Sequence, residues 1–151
     1  MTRPADSGRV IAAARGWLGT PYHDQASLKG VGCDCLGLVR GVWREVVGPE
    51  PMGLPPYSRA WDEVAPRDRL IEAARACMIP ASDAAPGPGA VLIFRMRRRA
   101  AAKHMGILTE TGSLIHSYER LGVCEVPLDR AWARRIAAAF YLPARWPMEG
   151  R

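Results

Sequence analysis

The chain is organised around a turn that leads into a helix, Gly32-Cys33-Asp34-Cys35-Leu36-Gly37-Leu38-Val39-Arg40-Gly41-Val42-Trp43-Arg44-Glu45. Asp34 has a short carboxylate that can cap free backbone N–H groups, so the helix is predicted to begin at Cys35. Cys35, Val39 and Val42 recur at spacings of four and three, which places the sulfur on the apolar face. A free cysteine is ordinarily a small buried apolar side chain. At a helix N-terminus, however, the partial positive charge favours the nucleophilic thiolate.

Length and composition predict one domain over residues 1–151. The chain is 48% hydrophobic, and a domain of this size buries roughly 70% of its unfolded surface without disulfides. Its four cysteines are too few and too unevenly spaced for a disulfide framework, so free thiols are expected. Residues 1–15 lack the apolar core of a signal peptide, and no run approaches the roughly 18 apolar residues of a membrane span. We therefore expect synthesis in the cytoplasm without a signal peptide.

The formal charge is +6 and the sequence pI is about 9.6. Much of this charge falls in two runs, Arg95, Arg97, Arg98, Arg99 and Lys103, then Arg130, Arg134 and Arg135. A basic surface suits an anionic partner such as nucleic acid or cell-wall polymer, whereas a solvated loop is the ordinary alternative. Aromatic interleaving and a nucleic-acid-binding module are both missing, so no nucleic-acid partner is expected.

Periodicity predicts helices first and strands afterwards. Helices are predicted over residues 8–18, 35–47 and 67–78, with an extended segment at 52–57 between the last two. Strands are predicted over 90–94, 104–109, 113–118, 123–128 and 137–142, with a brief helix at 128–134. This order predicts an α+β domain whose N-terminal helices pack on one face of an antiparallel sheet.

Two histidines lie on neighbouring predicted strands. A hairpin through residues 110–112 would bring His104 and His116 to the same side of the sheet, beside the helix terminus that carries Cys35. His104 would then act as the base that takes the thiol proton, and His116 would orient the ring of His104. Each histidine alone is ordinarily a partly buried strand residue; together with Cys35 they form the pattern of a catalytic triad.

Five segments in this order carry a family resemblance. They are Gly19-Thr20-Pro21-Tyr22, Asp34-Cys35-Leu36-Gly37-Leu38-Val39, Gly89-Ala90-Val91-Leu92-Ile93-Phe94, His104-Met105-Gly106-Ile107 and Leu114-Ile115-His116-Ser117. From about Val10 to Leu142 the chain resembles the NlpC family of papain-like cell-wall cysteine peptidases. The resemblance implies a papain-like NlpC-type fold with a five- to six-stranded antiparallel sheet.

The resemblance also implies an activity and its residues. Family members hydrolyse amide bonds in peptidoglycan stem peptides, usually between D-glutamate and diaminopimelate, and need no cofactor or metal. Residue by residue, it makes Cys35 the nucleophile, His104 the base and His116 the third polar residue. Tyr22 matches a tyrosine that lines the cleft and helps bind substrate or the oxyanion, and we group the cap Asp34 with this region.

Leu36 is a departure from the family, which commonly has serine after the nucleophile. This position would contribute its backbone N–H to an oxyanion hole, so we expect a changed substrate fit and retained activity.

The segment over residues 30–37 most resembles family members encoded among tail genes of phages and gene-transfer particles. This implies phage-like tail proteins as partners and action in the periplasm or cell wall of a recipient cell. On such a particle, the basic run at residues 95–103 would dock the enzyme on the tail or hold it on anionic wall polymer.

Two alternatives remain open from the sequence. The same triad would serve an N-acetylmuramoyl-L-alanine amidase, which cuts between the sugar lactyl group and the first alanine. A zinc-bound structural tail module is the alternative without catalysis, with Cys33, Cys35, His23 and His104 as ligands. Its paired cysteines are separated by one residue, whereas structural zinc sites generally separate them by two to four.

Overall fold

A computed structural model describes residues 2–51, 68–82 and 85–147 of the chain. The helices are α1 (Ser7–Arg15), α2 (Cys35–Val46), α3 (Arg69–Cys77) and the short α4 (Arg130–Ala133). The strands are β1 (Ser27–Leu28), β2 (Gly32–Cys33), β3 (Ile79–Pro80), β4 (Val91–Phe94), β5 (His104–Leu108), β6 (Ser113–Tyr118), β7 (Gly122–Pro127) and β8 (Ile136–Tyr141). Among the described residues, no helix has the length and apolar character needed to cross a membrane.

The main sheet has the strand order β3-β8-β4-β5-β6-β7, and its neighbouring strands pair antiparallel. β1 and β2 form a separate two-stranded hairpin just before α2. Helices followed by an antiparallel sheet match the predicted α+β class. The assignment of residues 1–151 to one domain stays a prediction.

The central strands β4 and β5 are buried along their whole length, because both faces of the sheet are covered. On one face, α1, α2 and α3 pack against side chains that include Ile93, Met105 and Ile107. On the other face, Leu92 and Phe94 belong to a smaller core that Trp132 of α4 packs against. The second core was not predicted, and it matters because α4 covers the sheet near the start of β5.

Two glycines let the chain approach α2 closely. A Cβ at Gly37 would lie 1.9 Å from the backbone oxygen of Ala26, and one at Gly41 would lie 1.9 Å from the ring of Trp17. Neither position has room for a side chain, so the loop before β1 and Trp17, just after α1, pack directly on the helix backbone. The indole N–H of Trp17 also donates to Glu45 at 2.6 Å, which ties this contact to the last turn of α2.

The structure differs from the expected elements mainly in short segments. Strands β1, β2 and β3 were not predicted, because two residues leave no room for an alternating pattern. β3 ends in Pro80 on an edge of the main sheet, where a missing N–H is tolerated. α3 begins at Arg69, and the predicted start at Arg67 and the extended segment at 52–57 lie outside the described residues.

Candidate active site

Cys35 is the first residue of α2 and is buried, with 5% of its surface exposed. Its Sγ lies 3.7 Å from the backbone oxygen of Lys103, the residue immediately before His104. Val39 and Val42, which share its helix face, are buried in the main core. The helix scaffold therefore places the thiol against the start of β5.

Asp34 caps α2 with its side chain. One carboxylate oxygen accepts from the backbone N–H of Gly37 at 2.7 Å, and the other accepts from the N–H of Gln25 at 2.7 Å. Burial raises the pKa of this carboxyl, and the two backbone hydrogen bonds act in the opposite direction. Because Asp34 is buried and both oxygens are engaged, its side chain links the start of α2 to the loop before β1.

His104 and His116 contact each other through their rings. Nε2 of His104 lies 2.7 Å from Nδ1 of His116, and the residues are 8% and 2% exposed. One nitrogen of this contact must carry a proton and the other must accept it, so the two rings cannot both be doubly protonated. Burial is the largest cause that lowers the pKa of each histidine, and the charge of His116 and of Lys103 lowers that of His104 further. Nδ1 of His104 is left outside this contact.

Three aromatic residues surround the histidine pair. Trp132 has its ring centroid 5.5 Å from that of His104 and 5.1 Å from that of His116. Tyr118 lies 5.7 and 5.4 Å from the same two rings, and Phe94 lies 5.9 Å from His104. Tyr118 follows His116 by two residues, so strand alternation gave a signal for it. Trp132 lies in the short helix α4, where no periodic pattern in the sequence indicated that it would contact the histidines.

Cys33 lies two residues before the candidate nucleophile and is fully buried. Burial raises its pKa to about 11, which keeps it protonated near neutral pH. Its backbone oxygen accepts from the hydroxyl of Ser117 on β6 at 2.7 Å. An isolated parallel bridge pairs the backbone of Tyr22 with that of Cys33, which places Tyr22 beside the segment that leads into α2. Leu36 is half-buried and packs against the main core.

The candidate zinc ligands do not form a cluster. Within residues 2–51, 68–82 and 85–147, no group of three or more His, Cys, Asp or Glu side chains is arranged to hold a metal ion. His23 is exposed, and its Nδ1 lies 3.3 Å from the backbone oxygen of Asp24. Metal analysis of the purified protein is the direct test of the zinc alternative.

The basic run at residues 95–103 connects β4 to β5, and its members differ in environment. Arg95 forms a two-pronged ion pair with Asp68, at 3.0 Å for each of two nitrogen–oxygen contacts. The prediction that Arg95 contributes free positive charge to a basic surface is therefore wrong, because its charge is neutralised by Asp68 and the ion pair holds the loop in place. Arg97, Arg98 and Arg99 are exposed.

The geometry thus brings His104 and His116 into contact and places Cys35 beside the peptide that precedes His104. Asp34 and Cys33 directly precede Cys35 along the chain, and the backbone of Tyr22 pairs with that of Cys33. The catalytic and substrate-binding roles given to these residues stay predictions.

Comparison with known proteins identifies relatives by family and by fold. The model of the NlpC/P60 family matches residues 19–140, whereas no curated protein matches the chain. An NlpC/P60 family protein from Bacillus cereus has a TM-score of 0.65 at 20% identity, over 93% of this chain and 42% of that one. A lipoprotein-like NLP/P60 family protein from Staphylococcus aureus has a TM-score of 0.61 at 18% identity, over 93% and 43%.

A third structure, the NlpC/p60 domain of the peptidoglycan hydrolase SagA, has a TM-score of 0.61 at 20% identity, over 91% of this chain and 99% of that domain. The chain therefore spans less than half the length of the first two structures and nearly the whole of the third. At these identities the likeness concerns the fold, and the predicted papain-like NlpC-type fold is confirmed. Because the family model matches most of the sequence, from Gly19 to Phe140, the chain belongs to the NlpC/P60 family.

Proposed function

We propose that this protein is a cysteine peptidase that hydrolyses amide bonds in the stem peptides of peptidoglycan. Membership of the NlpC/P60 family and the fold shared with a domain of a peptidoglycan hydrolase support a cell-wall peptidase in general. The observation that carries the catalytic assignment is the 2.7 Å contact between Nε2 of His104 and Nδ1 of His116, beside the strand start that the Cys35 thiol touches. A base held by an orienting partner next to a thiol is the arrangement that nucleophilic catalysis requires.

The tautomers follow from the required direction of proton transfer. For Nδ1 of His104 to accept the thiol proton, its Nε2 must carry the ring proton and donate it to Nδ1 of His116. His116 then stays neutral, fixes the ring orientation and stabilises the imidazolium that forms on His104. Because burial lowers the pKa of His104, the resting base is neutral near pH 7 and ready to accept a proton.

The reaction then proceeds in two halves. The sulfur of Cys35 attacks the amide carbonyl as its proton moves to His104, and the resulting tetrahedral oxyanion is stabilised at the N-terminus of α2, where Leu36 would offer its N–H. His104 next returns the proton to the leaving amine, which leaves a thioester on Cys35. Water, deprotonated by His104, then attacks this thioester, the bond between carbon and sulfur breaks, and the carboxylic acid product is released. His104 returns its proton to the sulfur of Cys35, which restores the resting thiol.

For the scissile bond, we propose the link between D-glutamate and diaminopimelate that the family resemblance implies. An N-acetylmuramoyl-L-alanine amidase would use the same three residues, but the products differ. Mass spectrometry of fragments released from purified sacculi separates them: the endopeptidase leaves new D-glutamate and diaminopimelate termini, whereas the amidase releases peptides that begin with L-alanine.

For the location, we propose carriage on the tail of a phage or gene-transfer particle, where the enzyme would open the wall of a recipient cell locally. This proposal is supported by the resemblance of residues 30–37 to tail-encoded family members. The expected result is that the protein co-purifies with assembled particles. Particles that lack the chain altogether would contradict this location without affecting the peptidase assignment.

The catalytic proposal is tested with two cysteine variants. Cys35→Ala is expected to abolish the release of stem-peptide fragments while the fold persists, because a methyl group replaces the thiol without its nucleophilicity. Cys33→Ala is the matched control and is expected to retain most activity, since its thiol is fully buried and protonated. The reverse outcome, with Cys33 essential and Cys35 dispensable, would show that Cys33 is the nucleophile and that the proposed assignment to Cys35 is wrong.

A further inference from the structure

The structure joins two groups of arginines that are far apart in the sequence. Arg97, Arg98 and Arg99 lie in the connection from β4 to β5, and a second group lies on and directly after α4. The connection and the second group meet where the backbone N–H of Arg95 donates to the oxygen of Arg135 at 2.8 Å. β4 and β8 pair at the same place. We call the combined set the basic rim: Arg97, Arg98, Arg99, Arg130, Arg134 and Arg135.

All six rim arginines are exposed, and no acidic side chain in the described ranges forms an ion pair with any of them. Arg135 donates from its guanidinium to the backbone oxygen of Ala131, which leaves its charge uncompensated. Two nearby carboxylates are engaged elsewhere, since Asp68 pairs with Arg95 and Asp129 caps α4. The rim is therefore a concentrated positive surface, in contrast to Arg15, Arg40, Arg44 and Arg95, which all pair with carboxylates.

The basic rim is attached at both sides to the candidate catalytic centre. The β4–β5 connection ends at Lys103, whose backbone oxygen lies 3.7 Å from the sulfur of Cys35. α4 carries Trp132, whose ring lies against both catalytic histidines. A ligand held on the rim is thus held beside the centre.

The connection that carries three of these arginines is fixed at its base. Asp68 accepts from the guanidinium of Arg95 and also from the backbone N–H of Ala102 at 2.9 Å. Arg95 donates in addition to the backbone oxygen of Ala100, which closes the loop on itself. The arginines are therefore presented from a fixed position next to the site.

We propose that the basic rim binds the carboxylate groups of the polymeric substrate and so holds the cross-linked wall over the catalytic centre. This inference rests on the proposed function, because stem peptides of the proposed type carry free carboxylates on D-glutamate and diaminopimelate. Guanidinium groups bind carboxylates through paired, charge-assisted hydrogen bonds, and several weak exposed contacts act together on a multivalent polymer. The occupant is the substrate itself, since the two segments that carry the rim also carry Lys103 and Trp132, which lie at the candidate catalytic centre.

The test uses two charge-removing variants and one control. Arg97→Gln/Arg98→Gln/Arg99→Gln removes one half of the rim, and Arg130→Gln/Arg134→Gln/Arg135→Gln removes the other. The control, Arg3→Gln/Arg9→Gln/Arg75→Gln, removes the same charge from exposed arginines outside the rim. Equal thermal midpoints establish that all variants are folded.

Each rim variant is expected to bind purified sacculi about tenfold more weakly in a sedimentation assay, as three weak exposed contacts predict. The KM on sacculi should rise in parallel, whereas the control variant should match wild type in both sacculus affinity and KM. Wild-type binding should also weaken between about 50 and about 500 mM salt, because salt screens exposed charges.

Unchanged sacculus affinity in both rim variants would overturn the inference. The inference would also be overturned if the rim variants lost binding to duplex DNA but kept wild-type binding to sacculi, because the ligand of the rim would then be nucleic acid. Failure of the proposed function and failure of the rim give different results. A wild-type protein that cleaves neither sacculi nor a soluble stem peptide contradicts the proposed function, whereas intact cleavage with unchanged affinity in the rim variants contradicts the rim alone.

Discussion

The buried histidine pair predicts a specific loss of stability in mild acid. Both rings have pKa values held below the ordinary value near 6.5, chiefly by burial, so they stay neutral in the folded protein where an unfolded histidine is already charged. Below about pH 6.5 the unfolded chain therefore binds more protons than the folded one, and stability falls as pH falls. Above that pH the two states bind the same number, and this contribution is constant.

The magnitude follows from linkage. At about pH 5.5, one unit below the ordinary value, each ring that remains neutral in the fold contributes a loss of about 1.4 kcal/mol. The pair thus contributes about 3 kcal/mol, which for a chain of this size corresponds to a lower thermal midpoint by about 8 °C. Carboxylates contribute little to the difference, because most of their ordinary titration lies below this window.

The perturbation that isolates this effect is the double variant His104→Asn/His116→Gln, which replaces both rings by amides that do not titrate. Thermal unfolding of wild type and variant is measured from about pH 7.5 to about pH 5.5. Between these pH values the free energy of unfolding contributed by the two rings should fall by about 3 kcal/mol in wild type, and this fall should be absent from the variant. Equal slopes in the two proteins would refute the reasoning. An NMR titration of wild type gives an independent reading, since neither buried ring should titrate near pH 6.5.

Three further predictions concern catalysis and packing. His104→Ala should lower kcat/KM on a soluble stem peptide by about 10²- to 10⁴-fold. His116→Gln should retain partial activity, because an amide oxygen can also accept a hydrogen bond from Nε2 of His104. Equal losses in the two variants would contradict the assignment of one histidine as base and the other as its orienting partner. Trp132→Ala should admit water to the histidine pair, raise the pKa of His104 and move the acid limb of kcat/KM to higher pH, whereas Trp132→Phe should not; identical pH profiles would argue against shielding. Gly37→Ala should destabilise the protein by about 1–3 kcal/mol in urea unfolding, since its Cβ would meet the backbone of Ala26, and Gly8→Ala, whose Cβ meets only a side chain at 3.2 Å, is the control; equal stabilities would show that the loop yields freely.

The elements that were predictable from sequence are those whose signals are local. The Asp34 cap and the apolar repeat from Cys35 determine the start and the buried face of α2, and the structure has both. His104 and His116 could be placed on one face because strand alternation and a short hairpin restrict the register of neighbouring strands. In these segments one residue type and its spacing determine one conformation.

The parts that could not be predicted depend on contacts between distant segments. Trp132 reaches the histidine pair because Asp129 caps a four-residue helix and β8 continues from it, and neither feature leaves a periodic pattern. Arg95 is separated from Asp68 by 27 positions, so the sequence alone showed a charge run where the structure has an ion pair. Long-range pairing of this kind follows from the packing of α3 near the β4–β5 connection.

Burial divides the charged and titratable groups around the site into two kinds. The histidine pair is buried from solvent, so any change in its surroundings should shift the pKa values of the two rings strongly. Such a shift should appear in the pH dependence of catalysis. The basic rim is in water, where its charges are screened beyond roughly 10 Å at 0.1 M ionic strength, so we expect them to affect substrate capture rather than proton transfer. Removing Trp132 and removing the rim should therefore change separate kinetic parameters. A variant that combines Trp132→Ala with the Arg97, Arg98 and Arg99 substitutions, which lie on a different segment, should show the shifted pH profile of the first and the raised KM of the second.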